Sequence, residues 1–150
     1  MADHQALVIC ERLSTILKDA RTAAGNGVSA FRIRKVTDAV LPHITVMPGT
    51  NVSLDAGSEV NDRSDRELQI MLAIAVDGSE PIKDAYNLAA EAQSAIMADI
   101  QLGLSGVLLV YPGGIEPPDF DSGDANGVVE LTVEYLVRYR TSLVDPTLPR

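Results

Sequence analysis

Along the first quarter of the chain, apolar positions recur at three- and four-residue steps: Ala6, Ile9, Cys10, Leu13, Ile16, Leu17 and Ala20. Glu11, Arg12, Thr15, Lys18, Asp19 and Thr22 fall on the opposite side. This period predicts an amphipathic helix from Asp3 to Ala24, stopped by Gly25-Asn26-Gly27, residues that accept a left-handed backbone. The period then changes to two. Phe31 and Ile33 alternate with Arg32 and Arg34, which predicts a half-exposed strand over residues 31–36. A short strand follows within Leu41–Gly49, bracketed by Pro42 and Pro48, which cannot donate to a sheet ladder.

Residues Thr50 to Asp65 are polar and read as a long connection. From Arg66 to Val76 the alternation is sustained. Leu68, Ile70, Leu72, Ile74 and Val76 share one face, and Glu67, Gln69, Met71, Ala73 and Ala75 the other. A second helix is expected from Pro81 to Leu102, with Ser79 or Glu80 as its cap and Pro81 in its first turn. Its expected buried stripe is Ile82, Ala85, Tyr86, Ala89, Ala92, Ile96 and Ile100, and Gly103 ends it. Gly106–Tyr111 reads as a strand and Pro112–Asn126 as a loop of turn formers and acids. The last strand is long: Val129, Leu131, Val133, Tyr135, Val137 and Tyr139 alternate with Glu130, Thr132, Glu134, Leu136, Arg138 and Arg140.

Helices and strands do not alternate regularly, so a doubly wound parallel sheet is disfavoured. The expected fold is α+β: one mostly antiparallel sheet of four to five strands with two helices packed on one face. A single domain over residues 1–150 is expected, with a short irregular arm at about 142–150 carrying Pro146 and Pro149.

Charge narrows the functional classes. The chain of 150 residues carries 21 acidic and 12 basic groups, net −9, the opposite of a nucleic-acid-binding footprint. It is also the wrong sign for a basic membrane-surface protein. The charge is unevenly spread. Residues 1–40 hold six basic and four acidic groups, whereas residues 77–134 hold eleven acidic groups and only Lys83. Such polarity suits one surface that repels polyanions and another that meets a charged neighbour. No apolar run approaches the roughly 20 residues of a membrane span, and the N-terminal residues do not read as a signal peptide. Cys10 is the only cysteine, so no internal disulfide forms, and a reducing compartment is the simplest expectation.

Catalytic signals are weak. His4 and His43 are the only histidines, and neither sits in a metal or acid–base pattern. Cys10 lies on the apolar stripe and reads as a small buried hydrophobe. There is no nucleophile elbow, P-loop or GxGxxG, and Gly113-Gly114 is a doublet without a following helix. Glu116, Asp119, Asp121 and Asp124 form an acidic cluster without EF-hand spacing, which reads more simply as a solvated loop. No catalytic residue, metal or cofactor is therefore expected. The basic cluster Arg32, Arg34 and Lys35 has only Phe31 near it for stacking, so it reads as a solvated strand face or one side of a subunit contact.

Taken together, the order of elements resembles that of the tail terminator, or tail completion, proteins of long-tailed bacteriophages. The resemblance is carried by the N-terminal amphipathic helix, by LPHITVMPG at residues 41–49, and by the long strand Arg66–Val76. The alanine-rich helix Pro81–Leu102, the ending ELTVEYLVRYRT at residues 130–141, and Asp145-Pro146 complete it. It spans nearly the whole chain and contains no single diagnostic motif. Membership would imply a structural virion protein: a homo-oligomeric, hexameric ring that caps the tail tube, ends its polymerisation and forms the joining surface for the head connector. Its partners would be the major tail tube protein and the head–tail connector, with DNA passing through without specific binding and no membrane involved. It would act at the head-proximal end of the virion tail after assembly in the host cytoplasm. Partner-facing residues would include Arg32, Arg34, Lys35, Asp55, Glu59, Asp62, Arg63 and Asp65. Glu116, Asp119, Asp121 and Asp124 would face the DNA path or connector. The alternatives are a head-closure or minor tail protein, an acidic monomeric adaptor, and a small cytosolic enzyme with an acidic site. An enzyme should present a concave pocket gathering carboxylates, and a ring subunit broad complementary faces.

Overall fold

A computed structural model of the chain describes residues 2–31, 41–54, 63–120 and 128–150. Its elements are α1 (Gln5–Asp19), β1 (Val28–Ala30), β2 (His43–Ser53), β3 (Ser64–Val76), α2 (Pro81–Met97), β4 (Val107–Ile115), β5 (Asp119–Phe120) and β6 (Val129–Thr141). One sheet has the order β1-β2-β3-β6-β4, and β5 prolongs the β4 edge along β6. β1 and β2 are parallel and every other pair is antiparallel. The fold is therefore α+β with a mostly antiparallel sheet. Since β3 and β4 both run antiparallel to β6, they run the same way as each other. The connection through α2 joins them across a slot that β6 fills, a split βαβ arrangement.

The two long alternating runs become the centre of the sheet. β3 and β6 pair without interruption from Ser64↔Thr141 to Val76↔Val129. This register puts Leu68, Ile70, Leu72 and Ile74 on the same face as Leu131, Val133, Tyr135 and Val137, and Ile44 and Val46 of β2 join them. Every one of these residues is buried. A one-residue slip would turn the whole set to the other side, so the alternation itself fixes the register. Both helices cover this face. α1 lies over β1 and β2, α2 lies over β3 and β6, and the two helices touch.

α1 is shorter than its periodicity implies. The side chain of His4 caps it, with Nδ1 accepting from the Ala6 N–H at 3.1 Å. Arg21, at φ 51°, takes the left-handed conformation before the glycines are reached. The chain then coils through turns closed by Gly25 N–H to Thr22 and Gly27 N–H to Ala24, bringing Val28 opposite Ile44. α2 ends at Met97 rather than Leu102. The Asp99 side chain accepts from the Gln101 N–H at 3.0 Å, and Leu102 and Gly103 are both left-handed. The buried stripe of α2 is Ala85, Leu88, Ala89, Ala92 and Ile96. Ile82, Tyr86 and Ile100, expected inside, are exposed. The stripe is turned toward Leu88 because four small or medium residues let the helix lie close to β3 and β6. Glu80 is the N-cap residue but makes no side-chain capping bond, and Pro81 opens the helix.

Two stretches expected to be loops contain strand residues. β2 runs on to Ser53, where Asn51, Val52 and Ser53 pair with Leu68, Glu67 and Arg66, so antiparallel pairing extends into both ends of the connection Thr50–Asp65. β4 runs through Pro112, Gly113 and Gly114 to Ile115. Residues 32–36 of the expected strand at 31–36, and the tips at 55–62 and 121–127, lie outside the described residues. Within the described part, the strand of this region is Val28–Ala30, and Phe31 leaves it with φ 62°.

Both long edges are interrupted. β2 has a bulge between Pro48 and Asn51, and β4 has bulges between Val107 and Leu109 and between Pro112 and Ile115. In β2 the outward-facing backbone groups are identified by the Ile44 N–H bonding Gly27 and the Phe31 N–H bonding Val46. By alternation Pro48 also faces outward, where its missing N–H breaks no ladder bond. The C-terminal residues fold back on the domain: Ser142 N–H bonds Leu148, Arg150 N–H bonds Arg140, and Gln5 N–H bonds Pro146.

Candidate functional site

The helices leave the second face of the sheet uncovered by either of them. Its centre is apolar: Met47 stands opposite Met71, Leu136 is opposite Gln69 on one side and Tyr111 on the other, and Leu109 is opposite Arg138. These side chains are half-buried, screened by their strand neighbours. Ala75, expected on this face as a partly solvated residue, is buried at 6% exposure.

One end of the face carries ion pairs. Asp65 and Arg140 are direct cross-strand partners, and so are Glu67 and Arg138, the geometry in which opposite charges support a sheet. Arg140 grips Asp65 with two donors, Nε to Oδ1 and Nη2 to Oδ2 at 3.0 Å. This hydrogen bonding holds the Asp65 carboxyl below its usual range, against the opposing effect of partial burial. Glu67 Oε2 accepts from the Tyr111 hydroxyl at 2.9 Å and from Arg138 Nε at 3.2 Å. The first of these bonds raises the Tyr111 pKa, because it favours the protonated phenol. Glu134 stands directly opposite Met71, and Thr132 and Glu130 follow toward the other end. The face thus has a largely apolar centre, interrupted by Gln69 and Glu134, beside an ion-paired border.

Four of the candidates named from sequence, Arg63, Asp65, Glu116 and Asp119, fall among the described residues. Asp65 belongs to the ion-paired border. Arg63 is exposed immediately before β3, and Glu116 and Asp119 are exposed along the β4–β5 edge. Arg32, Arg34, Lys35, Asp55, Glu59, Asp62, Asp121 and Asp124 lie outside the described residues. Cys10 is fully buried, and burial pushes its thiol up to about 12. Among the described residues no group of three or more His, Cys, Asp or Glu side chains could hold a metal ion, and no helix is long and apolar enough to cross a membrane.

Two features escaped the sequence. Ser29 Oγ and His43 Nε2 lie 3.0 Å apart across the β1–β2 pair. His43 is 5% exposed, so the contact fastens the short edge strand. The second feature is a cavity of about 210 Å³ where the end of β3, the start of β2, the turn after α1 and one side of α2 meet. Ala23, Pro42, Val76 and Leu88 line it together with Asn87 and the carboxylates of Asp77, Asp84 and Glu91. Glu91 is occupied, accepting from the Ala23 N–H at 2.8 Å. Among the described residues its lining includes no histidine, cysteine, serine or basic residue. No signal in the sequence joined Asp77 to Glu91, because their proximity depends on how α2 returns over the sheet.

Comparison with known proteins gives a fold. The chain is similar to one in a solved structure described as the virion of a native gene transfer agent particle. The TM-score is 0.56 at 13% identity, over 93% of this chain and 95% of that one. A second solved chain gives a TM-score of 0.48 at 17% identity, covering 91% and 96%. No family model matches, and no curated protein matches in sequence.

Proposed function

We propose that this protein is a structural, non-catalytic subunit of a phage-like virion, and within it the terminator that caps the tail tube as a ring. The observation that carries the virion reading is the end-to-end fold match to a chain of a gene transfer agent particle. The match extends over 93% of this chain and 95% of that one rather than over a shared motif. The narrower terminator reading adds the sequence resemblance and the uncovered apolar band of Met47, Met71, Leu136 and Tyr111. A band of this kind on one face favours a subunit contact, and repeated head-to-tail contacts that close make a ring. In the ring the subunit would end tube polymerisation and meet the head connector. Its surplus of carboxylates would keep DNA from adhering to the wall, since like charges repel within a Debye length of about 10 Å.

The test is a particle reconstruction combined with a variant of the uncovered face. Purified particles should show six copies in one closed ring at the head-proximal end of the tail. One copy per particle, or an open filament, would overturn the terminator reading, and a ring between head and connector would move the assignment to head closure. Met71→Glu combined with Leu136→Glu should leave the monomer folded and abolish ring formation in light scattering. An unchanged ring would remove this face from the contact.

A further inference from the structure

We infer that the cavity beside α2 is a socket for a basic side chain of a partner protein, an arginine or lysine. Its floor and walls come from Ala23, Pro42, Val76 and Leu88, and its rim from Asp77, Asp84 and Glu91. A long basic side chain has this division of character: an aliphatic stem that gains from apolar contact and a head that needs carboxylates.

Size points the same way. Pockets for cofactors and drug-sized ligands run from roughly 300 to 1,000 Å³. A cavity of about 210 Å³ is smaller and accommodates one extended side chain.

Charge complementarity selects the occupant. None of the described lining residues is basic. The nearest lysine in sequence, Lys83, pairs with Glu80 at 3.5 Å on the exposed side of the helix. Glu91 already serves the Ala23 N–H, which leaves Asp77 and Asp84 as the carboxylates open to an incoming cation. An anionic or purely apolar group would have to desolvate them without compensation.

This socket lies on the helical side of the molecule, away from the uncovered sheet face. It is therefore a second contact surface, one that does not depend on the ring reading.

The probe is the peptide acetyl-Gly-Arg-Gly-amide, titrated into the full chain and followed by amide chemical shifts. The control replaces arginine by citrulline, which keeps the shape and removes the charge. Saturable shifts should centre on Asp77, Asp84, Asn87 and Leu88, weaken with added salt, and be at least fivefold weaker for citrulline. Asp77→Asn with Asp84→Asn should weaken arginine binding about tenfold. Ala23→Phe, which fills the cavity without removing a charge, should abolish it. Equal binding of the citrulline peptide, or shifts that bypass these residues, would overturn the proposal. So would concentration-dependent shifts at the same residues without peptide, which would make a second copy of the chain the occupant. None of these outcomes bears on the particle reconstruction, so the socket and the terminator reading stand or fall separately.

Discussion

Tyr135 sits in the middle of β6 with no solvent exposure, and its hydroxyl has no hydrogen-bond partner. A buried hydroxyl in that state costs roughly 1–3 kcal/mol of desolvation. Tyr135→Phe removes the hydroxyl and leaves the ring in place between the helices and the sheet. Against the gain stands the small void left by one oxygen, which offsets a fraction of it. The expected net effect is stabilisation by about 1 kcal/mol, a rise of about 2–4 °C in Tm for a chain of this size. The pH dependence gives a sharper test. Burial raises the Tyr135 pKa from 10.0 to about 12. In the unfolded chain the phenol loses its proton first, so its contribution is complete below pH 10 and is lost as the pH rises through about 12. At about 1.4 kcal/mol for each tenfold change in proton affinity, this limb is worth roughly 2–3 kcal/mol. The phenylalanine variant should therefore gain its largest advantage above pH 10. Urea unfolding from pH 7 to 11, followed by far-ultraviolet circular dichroism, measures both effects. A loss of more than about 1 kcal/mol at pH 7, or an unchanged alkaline limb, would refute the reasoning by requiring a partner for the hydroxyl.

Cys10→Ala should also flatten the alkaline limb, but from pH 9 upward, because the buried thiol is raised from 9.0 to about 12; urea melts at pH 8 and pH 10.5 separate it from Tyr135. Asp65→Asn should cost under about 1 kcal/mol near neutrality. It should also remove an acid-limb contribution that is present above the ordinary aspartate range and is lost as the pH falls through the lowered native value. Gly27→Ala should destabilise by about 2–3 kcal/mol, since a Cβ there would lie 2.6 Å from the Pro42 carbonyl and 2.9 Å from that of Ala24, both backbone atoms; a thermal melt checks it. Leu72→Ala, in the fully buried middle of β3, should cost about 2–5 kcal/mol while leaving the Asp65–Arg140 border intact by crystallography.

The parts of the fold that were legible in the sequence are those where one period dominates. Leu68 through Val76 and Val129 through Tyr139 alternate without a break, and these runs are the two central strands. Where small residues carry the helix contact, hydrophobicity misleads. Ile82 and Tyr86 are far bulkier than the alanines of α2, yet Ala85, Leu88, Ala89 and Ala92 are the buried ones, because close approach matters more there than bulk. Turn-forming residues misled in the opposite direction. Pro112, Gly113 and Gly114 read as a loop, but an edge strand needs only one of its two sides bonded, so they are tolerated in β4. The charged border was legible only in half. Asp65 is conspicuous among polar residues, but its partner lies 75 positions away, and only the β3–β6 register connects them. The cavity was not legible at all, since it lies between segments that meet through the turn after α1 and the crossover of α2.

The broken edges of the sheet bear on how this chain behaves when it is abundant. An open strand edge is a template on which identical chains stack into fibres. Here Pro48 and its bulge interrupt one such edge, and Pro112 with two bulges interrupts the other. Runaway stacking is thus discouraged on both flanks by backbone chemistry, whatever the concentration. Self-association must instead use side-chain surfaces, whose fit can specify a finite copy number. The same prolines that made two stretches look like loops therefore help keep the unassembled pool soluble.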